Sequence, residues 1–113
     1  MSETSPGRKL RERAIRVEVD APGAIEGAHR VTGKVKDLSL HGLFLVCPQK
    51  LPLGHELTVR FSLPLDDGQL GRVEARAEVR HAHRNAGVGL RFLRLSYENA
   101  AAIQRYLASR APK

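Results

Sequence analysis

The strongest constraint on this chain is an unbroken period-two alternation between residues 56 and 63. Leu57, Val59, Phe61 and Leu63 alternate with Glu56, Thr58, Arg60 and Ser62. Only an extended strand puts every second side chain on one face, so this segment is a strand with one apolar and one wet side. The next segment repeats the pattern. Val73, Ala75, Ala77 and Val79 share one face, while Arg72, Glu74, Arg76, Glu78 and Arg80 share the other with both signs of charge interspersed. Asp66-Asp67-Gly68 stands between the two and signals a hairpin, because Asp-Gly readily takes the turn conformations that join antiparallel strands.

Four further segments read as strands. Ile15, Val17 and Val19 point one way, Arg16 and Glu18 the other, and Asp20-Ala-Pro-Gly23 is expected to break that strand. In residues 30–37, Val31 and Val35 oppose Thr32, Lys34 and Lys36. A polar turn, Asp37-Leu-Ser-Leu-His-Gly42, leads into Leu43 to Cys47, which is apolar throughout and suits a central strand. Leu51-Pro-Leu-Gly54 and Arg84-Asn-Ala-Gly87 read as turns, the second leading into Val88, Leu90 and Phe92. Gly87 and Gly89 are expected to mark that turn and a close strand contact.

The period changes at Ser96. Ala100, Ile103 and Leu107 fall at i, i+3 and i+7, one stripe of a helix predicted over 96–108. Ser96 suits the N-cap, Glu98 the positive end of the dipole, and Arg105 and Arg110 the negative end. Tyr97 and Tyr106 are expected to pack the helix down. Six short strands and one helix predict a mostly β fold, a six-stranded antiparallel β-barrel with a C-terminal α-helix, because closure removes exposed strand edges.

The chain has 113 residues, enough for one domain, placed at 8–110. Residues 1–7 read as a disordered leader and 111–113 as a tail. No apolar stretch suits a transmembrane helix or a signal peptide, and the expected location is the cytoplasm. The net charge of +7 favours an anionic partner. Nucleic acid is disfavoured among these, since only 4% of the residues are aromatic and single-strand binders stack bases on aromatic side chains. The single cysteine, Cys47, excludes an internal disulfide and reads as a buried, inert thiol. His81 and His83 lie two residues apart on one strand face without a third ligand nearby, so no metal is expected. No nucleophile, base and acid cluster is visible, and no phosphate-cradling glycine loop opens a helix. The chain reads as a binding module, with no cofactor and no catalytic residues.

Asp37, Ser39 and Gly42 form a D-x-S-x-x-G pattern between two strands, followed by Leu43-Phe-Leu, by Leu51-Pro-Leu-Gly54, and later by Gly87-Val-Gly-Leu-Arg-Phe92 and a helix. From about Arg11 to Leu107 this order resembles the PilZ domain, a small β-barrel receptor for the bacterial second messenger cyclic di-GMP. The resemblance implies a ligand site made of a basic segment, residues 8–16, and the D-x-S-x-x-G turn. Its residues would be Arg11, Arg13, Arg16, Asp37, Ser39 and Gly42. One position departs from the family pattern. The ligand-binding form carries R-x-x-x-R before the first strand; Arg16 matches the second arginine, but Glu12 stands where the first belongs, flanked by Arg11 and Arg13.

The chemistry is coherent with that ligand. Arginine forms bidentate bonds with the O6 and N7 edge of guanine, pairs with phosphate and stacks on planar bases. A carboxylate at Asp37 accepts guanine N–H groups, and a hydroxyl at Ser39 donates to a phosphate. The expected function is a cyclic di-GMP receptor that signals to a downstream protein partner by ordering its basic N-terminal segment. The alternative is an interaction module of the same fold that has lost the nucleotide, with a basic nucleic-acid-binding barrel third.

Overall fold

A computed structural model describes residues 16–27, 30–48, 50–65, 67–83 and 86–110. The leader 1–7, the segment 8–15 with Arg11, Glu12 and Arg13, and the tail 111–113 lie outside the described residues. Among the described residues six strands precede one helix: β1 (Val17–Glu26), β2 (Arg30–Leu38), β3 (Gly42–Val46), β4 (Glu56–Pro64), β5 (Leu70–His83), β6 (Gly87–Arg94) and α1 (Tyr97–Arg110). All pairings are antiparallel, and the order β1-β2-β3-β6-β5-β4 closes through the β1–β4 ladder. The architecture is the expected six-stranded barrel with a C-terminal helix.

The alternating segments do what their period requires. Leu57, Val59, Phe61 and Leu63 are all buried, as are Val73, Ala75, Ala77 and Val79 across the β4–β5 ladder. Phe61 and Phe92 lie face to face inside the barrel, 6.4 Å between ring centroids. The β4–β5 turn holds Gly68 at φ +85°, a conformation that glycine takes without a Cβ penalty. Asp67 steadies the same turn by accepting the Gln69 N–H at 3.0 Å. That bond, and then the Arg105 guanidinium, hold the Asp67 carboxyl below its ordinary range.

One expectation about a strand end is corrected. Asp20-Ala-Pro-Gly23 does not end the first strand; β1 runs through it to Glu26. Two residues, Val19 and Asp20, oppose one on β2, a bulge that absorbs the irregularity. Pro22 sits where the β1–β4 ladder has not yet begun, its first pair being Gly23 with Phe61. Pro22 does pair with Lys34 of β2, so it is tolerated as an edge position, where one side of the strand has no ladder partner. β3 is central as expected, between β2 and β6, and as a barrel wall with a wet outside it leaves Val46 40% exposed and Phe44 half-buried.

Helix α1 starts as its sequence indicates, with the Asn99 N–H donating to the Ser96 hydroxyl at 3.1 Å. Ile103, Tyr106 and Leu107 are buried, each such side chain worth roughly 1.5–3 kcal/mol. The helix packs on β5 and β4. Gly71 gives Ala102 room, and Asn99 Nδ2 donates to the Glu74 carbonyl at 2.6 Å. Tyr97, expected to pack, is instead 85% exposed: at the first helical position it points away from the stripe that Ile103 and Leu107 bury.

Candidate ligand-binding cleft

The D-x-S-x-x-G turn joins β2 to β3 and is pinned from both sides. The Ser39 N–H donates to the Gly42 carbonyl at 2.9 Å, and the His41 N–H donates to the Ser39 hydroxyl at 3.1 Å. The His41 carbonyl accepts from the Phe92 N–H at 2.8 Å, which docks the turn on β6. Ser39 is only 2% exposed, so its hydroxyl sits under the turn. Gly42 is required by crowding: a Cβ there would stand 1.9 Å from the Leu90 carbonyl oxygen of β6. The glycine therefore lets two backbones meet.

Beside this turn lies an outward-facing cleft of about 460 Å³, within the usual range for small-molecule sites. Arg16 and Asp37 form one wall, and their side chains are ion-paired. Arg80 and Arg91 add two more cations, and His41, His81, His83 and Phe44 complete the lining with Gly42 and Gly89. Among the described residues lining the cleft, three guanidinium groups stand against one carboxylate, and Arg80 is also 3.8 Å from the Glu78 carboxylate outside it; the remaining excess of positive charge favours an anionic ligand. Of the residues expected at the site, Arg16, Asp37 and Gly42 line the cleft, Ser39 supports the turn beneath, and Arg11 and Arg13 lie outside the described residues.

Ladder pairing explains the convergence. Glu18, Asp37, Phe44, Gly89 and His81 are successive cross-strand partners on β1, β2, β3, β6 and β5. Two register shifts aim key members outward. One falls between Val35 and Asp37, where Lys36 is the extra residue against β3. The other falls between Val79 and His81, where Arg80 is the extra residue against β6. Strict alternation would have put Asp37 with buried Val35, and His81 with buried Val79. Each bulge inverts the parity, so Asp37, His81 and His83 come to the outer face. Sequence reasoning missed Phe44, Arg80 and Arg91 as lining residues, because their strands are distant in sequence and the bulges leave no mark on it.

A second groove, about 650 Å³, runs past Pro22, Gly33, Arg60, Arg72 and Asn99. Its Arg60 is ion-paired with Glu26 and with Glu74 at 3.3 Å, and the bonds to Glu74 and then Glu26 raise its pKa further. An anion there would compete with two carboxylates. Among the described residues no three His, Cys, Asp or Glu side chains are placed to hold a metal, and no helix is long and apolar enough to cross a membrane.

Solved structures of similar shape point one way. The chain superimposes on the Bacillus subtilis inhibitor of motility (MotI/DgrA) with a TM-score of 0.77 at 15% identity, over 86% of this chain and 49% of that one. It thus spans about half the length of that neighbour. It also matches the PilZ domain of CeSA from a cellulose-synthesizing bacterium, with a TM-score of 0.60 at 19% identity, over 85% of this chain and 97% of that one. At such identities the likeness is one of fold. No curated protein sequence matches the chain significantly. The family model for the PilZ domain matches residues 10–109, nearly the whole chain, and on that match the chain belongs to the PilZ domain family.

Proposed function

We propose that this PilZ domain binds cyclic di-GMP in the cleft between the Arg16–Asp37 pair and the β5–β6 wall, and that ordering of the basic segment 8–16 carries the signal to a downstream protein partner. Domains of this family are generally receptors for that ligand. The observation that carries the reading is the meeting of Arg16, Arg80 and Arg91 with Asp37 around one cleft beside the D-x-S-x-x-G turn. Arginines serve the phosphates and guanine edges, and the Asp37 carboxylate accepts guanine N–H groups. Arg11 and Arg13 precede Arg16 in the chain and would supply further contacts on ordering. Ordering nine residues costs on the order of 1–2 kcal/mol each if they start fully disordered. Several charge-assisted bonds of roughly 1.5–3 kcal/mol each offset it, leaving a moderate affinity.

Two features favour a second reading, a PilZ-fold interaction module without nucleotide. Glu12 replaces an arginine of the family pattern, and Asp37 already pairs with Arg16, so a ligand must compete for both. Calorimetric titration with cyclic di-GMP, with GTP and a short random DNA duplex as controls, separates the readings. Saturable binding of cyclic di-GMP that neither control displaces at physiological salt, and that Arg16→Ala strongly weakens, supports the receptor. Equal affinity for the duplex, falling steeply with salt, would point to charge alone. No heat with any ligand would leave the interaction module.

A further inference from the structure

Aromatic side chains are scarce in this chain, and their placement is uneven. Of three phenylalanines, Phe61 and Phe92 fill the core, while Phe44 faces the cleft. Three of the five histidines, His41, His81 and His83, also line it. Phe44 and His83 stand 5.7 Å apart between ring centroids with their planes tilted by 55°, and His83 and His81 stand 6.5 Å apart at 29° between planes. Phe44 is on β3 and the histidines on β5, two strand spacings or about 10 Å away across the sheet. The strand between them carries Gly89, the ladder partner of both Phe44 and His81. With no side chain at 89, the His81 ring leans over that gap, its Cδ2 3.3 Å from where a Cβ would stand. The exposed His81 and His83 rings thereby lie closer to parallel on the outside of the barrel, with the half-buried Phe44 ring tilted against His83 at their side, where a hydrophobic core has no use for them.

We infer that Phe44, His83 and His81 form a stacking platform for a purine base, opposite the Arg16–Asp37 wall; this rests on the nucleotide reading above and deepens it. Arg91 and Arg80, the latter also 3.8 Å from the Glu78 carboxylate, border the platform and are placed to neutralise the phosphate attached to that base. A phosphate without a base would use the arginines alone, so the platform selects a purine nucleotide over a simple anion. Base–aromatic stacking is strong enough that removing one ring changes affinity by about tenfold.

The test uses the full chain and two readouts. The first is the affinity for cyclic di-GMP of the unmodified protein and of His83→Ala, Phe44→Leu and His83→Phe. The second is the NMR shift of the Phe44, His81 and His83 ring protons on adding GMP, with ribose 5-phosphate, which lacks the base, as control. The platform predicts about tenfold weaker binding for His83→Ala and Phe44→Leu, recovery in His83→Phe, and upfield ring shifts with GMP only. Unchanged affinity in His83→Ala and Phe44→Leu with unmoved ring protons overturns the platform and leaves the receptor reading standing. Loss in His83→Ala that His83→Phe does not recover also overturns it, since the imidazole then acts as a donor or a charge. Ring shifts with GMP in a protein that does not bind cyclic di-GMP keep the platform and reject the cyclic dinucleotide. No response to either nucleotide rejects both.

Discussion

Replacing Gly42 by alanine separates what the barrel needs from what a ligand needs. The new Cβ would lie 1.9 Å from the Leu90 carbonyl oxygen, 3.0 Å from the Leu90 carbonyl carbon and 3.1 Å from the Arg91 Cα. All three are backbone atoms, so no side chain can swing aside, and β3 must move off β6 by about 1 Å. Overpacking of this kind costs ~1–3 kcal/mol. The movement also strains the β3–β6 pairs Gly42–Arg91 and Leu43–Leu90 and the bond from the Phe92 N–H to the His41 carbonyl. Each hydrogen bond lost adds ~0.5–1.5 kcal/mol, for a total near 2–5 kcal/mol. Against a typical domain stability of about 5–15 kcal/mol, this is a large share. Urea unfolding read by circular dichroism should show a lower midpoint at an unchanged slope. Gly54→Ala is the control: its Cβ meets open space, and only its φ of +83° carries a cost, roughly 1–2 kcal/mol. If Gly42→Ala stays within about 0.5 kcal/mol of the unmodified protein yet loses cyclic di-GMP binding, the crowding argument is wrong and the glycine serves the ligand.

Phe61→Ala should cost roughly 3–5 kcal/mol by the same unfolding assay, since the ring is 4% exposed and faces Phe92; a loss below 1 kcal/mol would place it outside the core. Glu12→Arg should tighten cyclic di-GMP binding more than Glu12→Gln does, because it restores the spacing to Arg16 as well as removing a negative charge. Equal gains, measured by calorimetry, would reduce the effect to charge. Arg11→Ala and Arg13→Ala should each weaken binding less than their joint loss, a coupling that a double-mutant cycle reads. The Asp67 carboxyl titrates below its ordinary value in the fold, so its contribution is complete above the unfolded pKa of about 3.9 and is lost as pH falls through the lower, folded value. Thermal unfolding should therefore separate Asp67→Asn from the unmodified protein at pH 6–7, with the gap closing below about pH 4; a gap that persists at low pH would show that the charge on Asp67, held by the Gln69 N–H and then by Arg105, is not what stabilises the turn.

Much of the barrel is legible because local chemistry and the fold agree. Wherever apolar residues alternate without interruption, as in Leu57 to Leu63, one face has to be buried, and no partner strand is needed to know which. The helix is legible for the same reason: Ser96 caps it and Ile103 and Leu107 bury its stripe. Asp20-Ala-Pro-Gly23 misleads because proline and glycine end a strand only when a neighbour needs the missing N–H or the missing side chain. The ladder to β4 starts one residue later, at Gly23, so the strand survives.

The candidate cleft was half visible. Arg16, Asp37 and Gly42 are named by a short motif whose residues are close in the chain, and the turn that joins β2 to β3 keeps Asp37 and Gly42 close in space. Phe44, Arg80, Arg91 and the two histidines of β5 are brought there by pairing between strands, with Gly42 and Arg91 partners although 49 residues apart. By itself the sequence determined which segments are strands, which face of each is apolar, and that an anionic partner is favoured. Only the tertiary structure decided that Asp37, His81 and His83 face outward. Parity along a strand is a local property, and continued without interruption from Val35 and Val79 it would carry them to the core side, whatever a motif implies about Asp37. A bulge belongs to the register between two strands, and at Lys36 and Arg80 that register reverses the assignment.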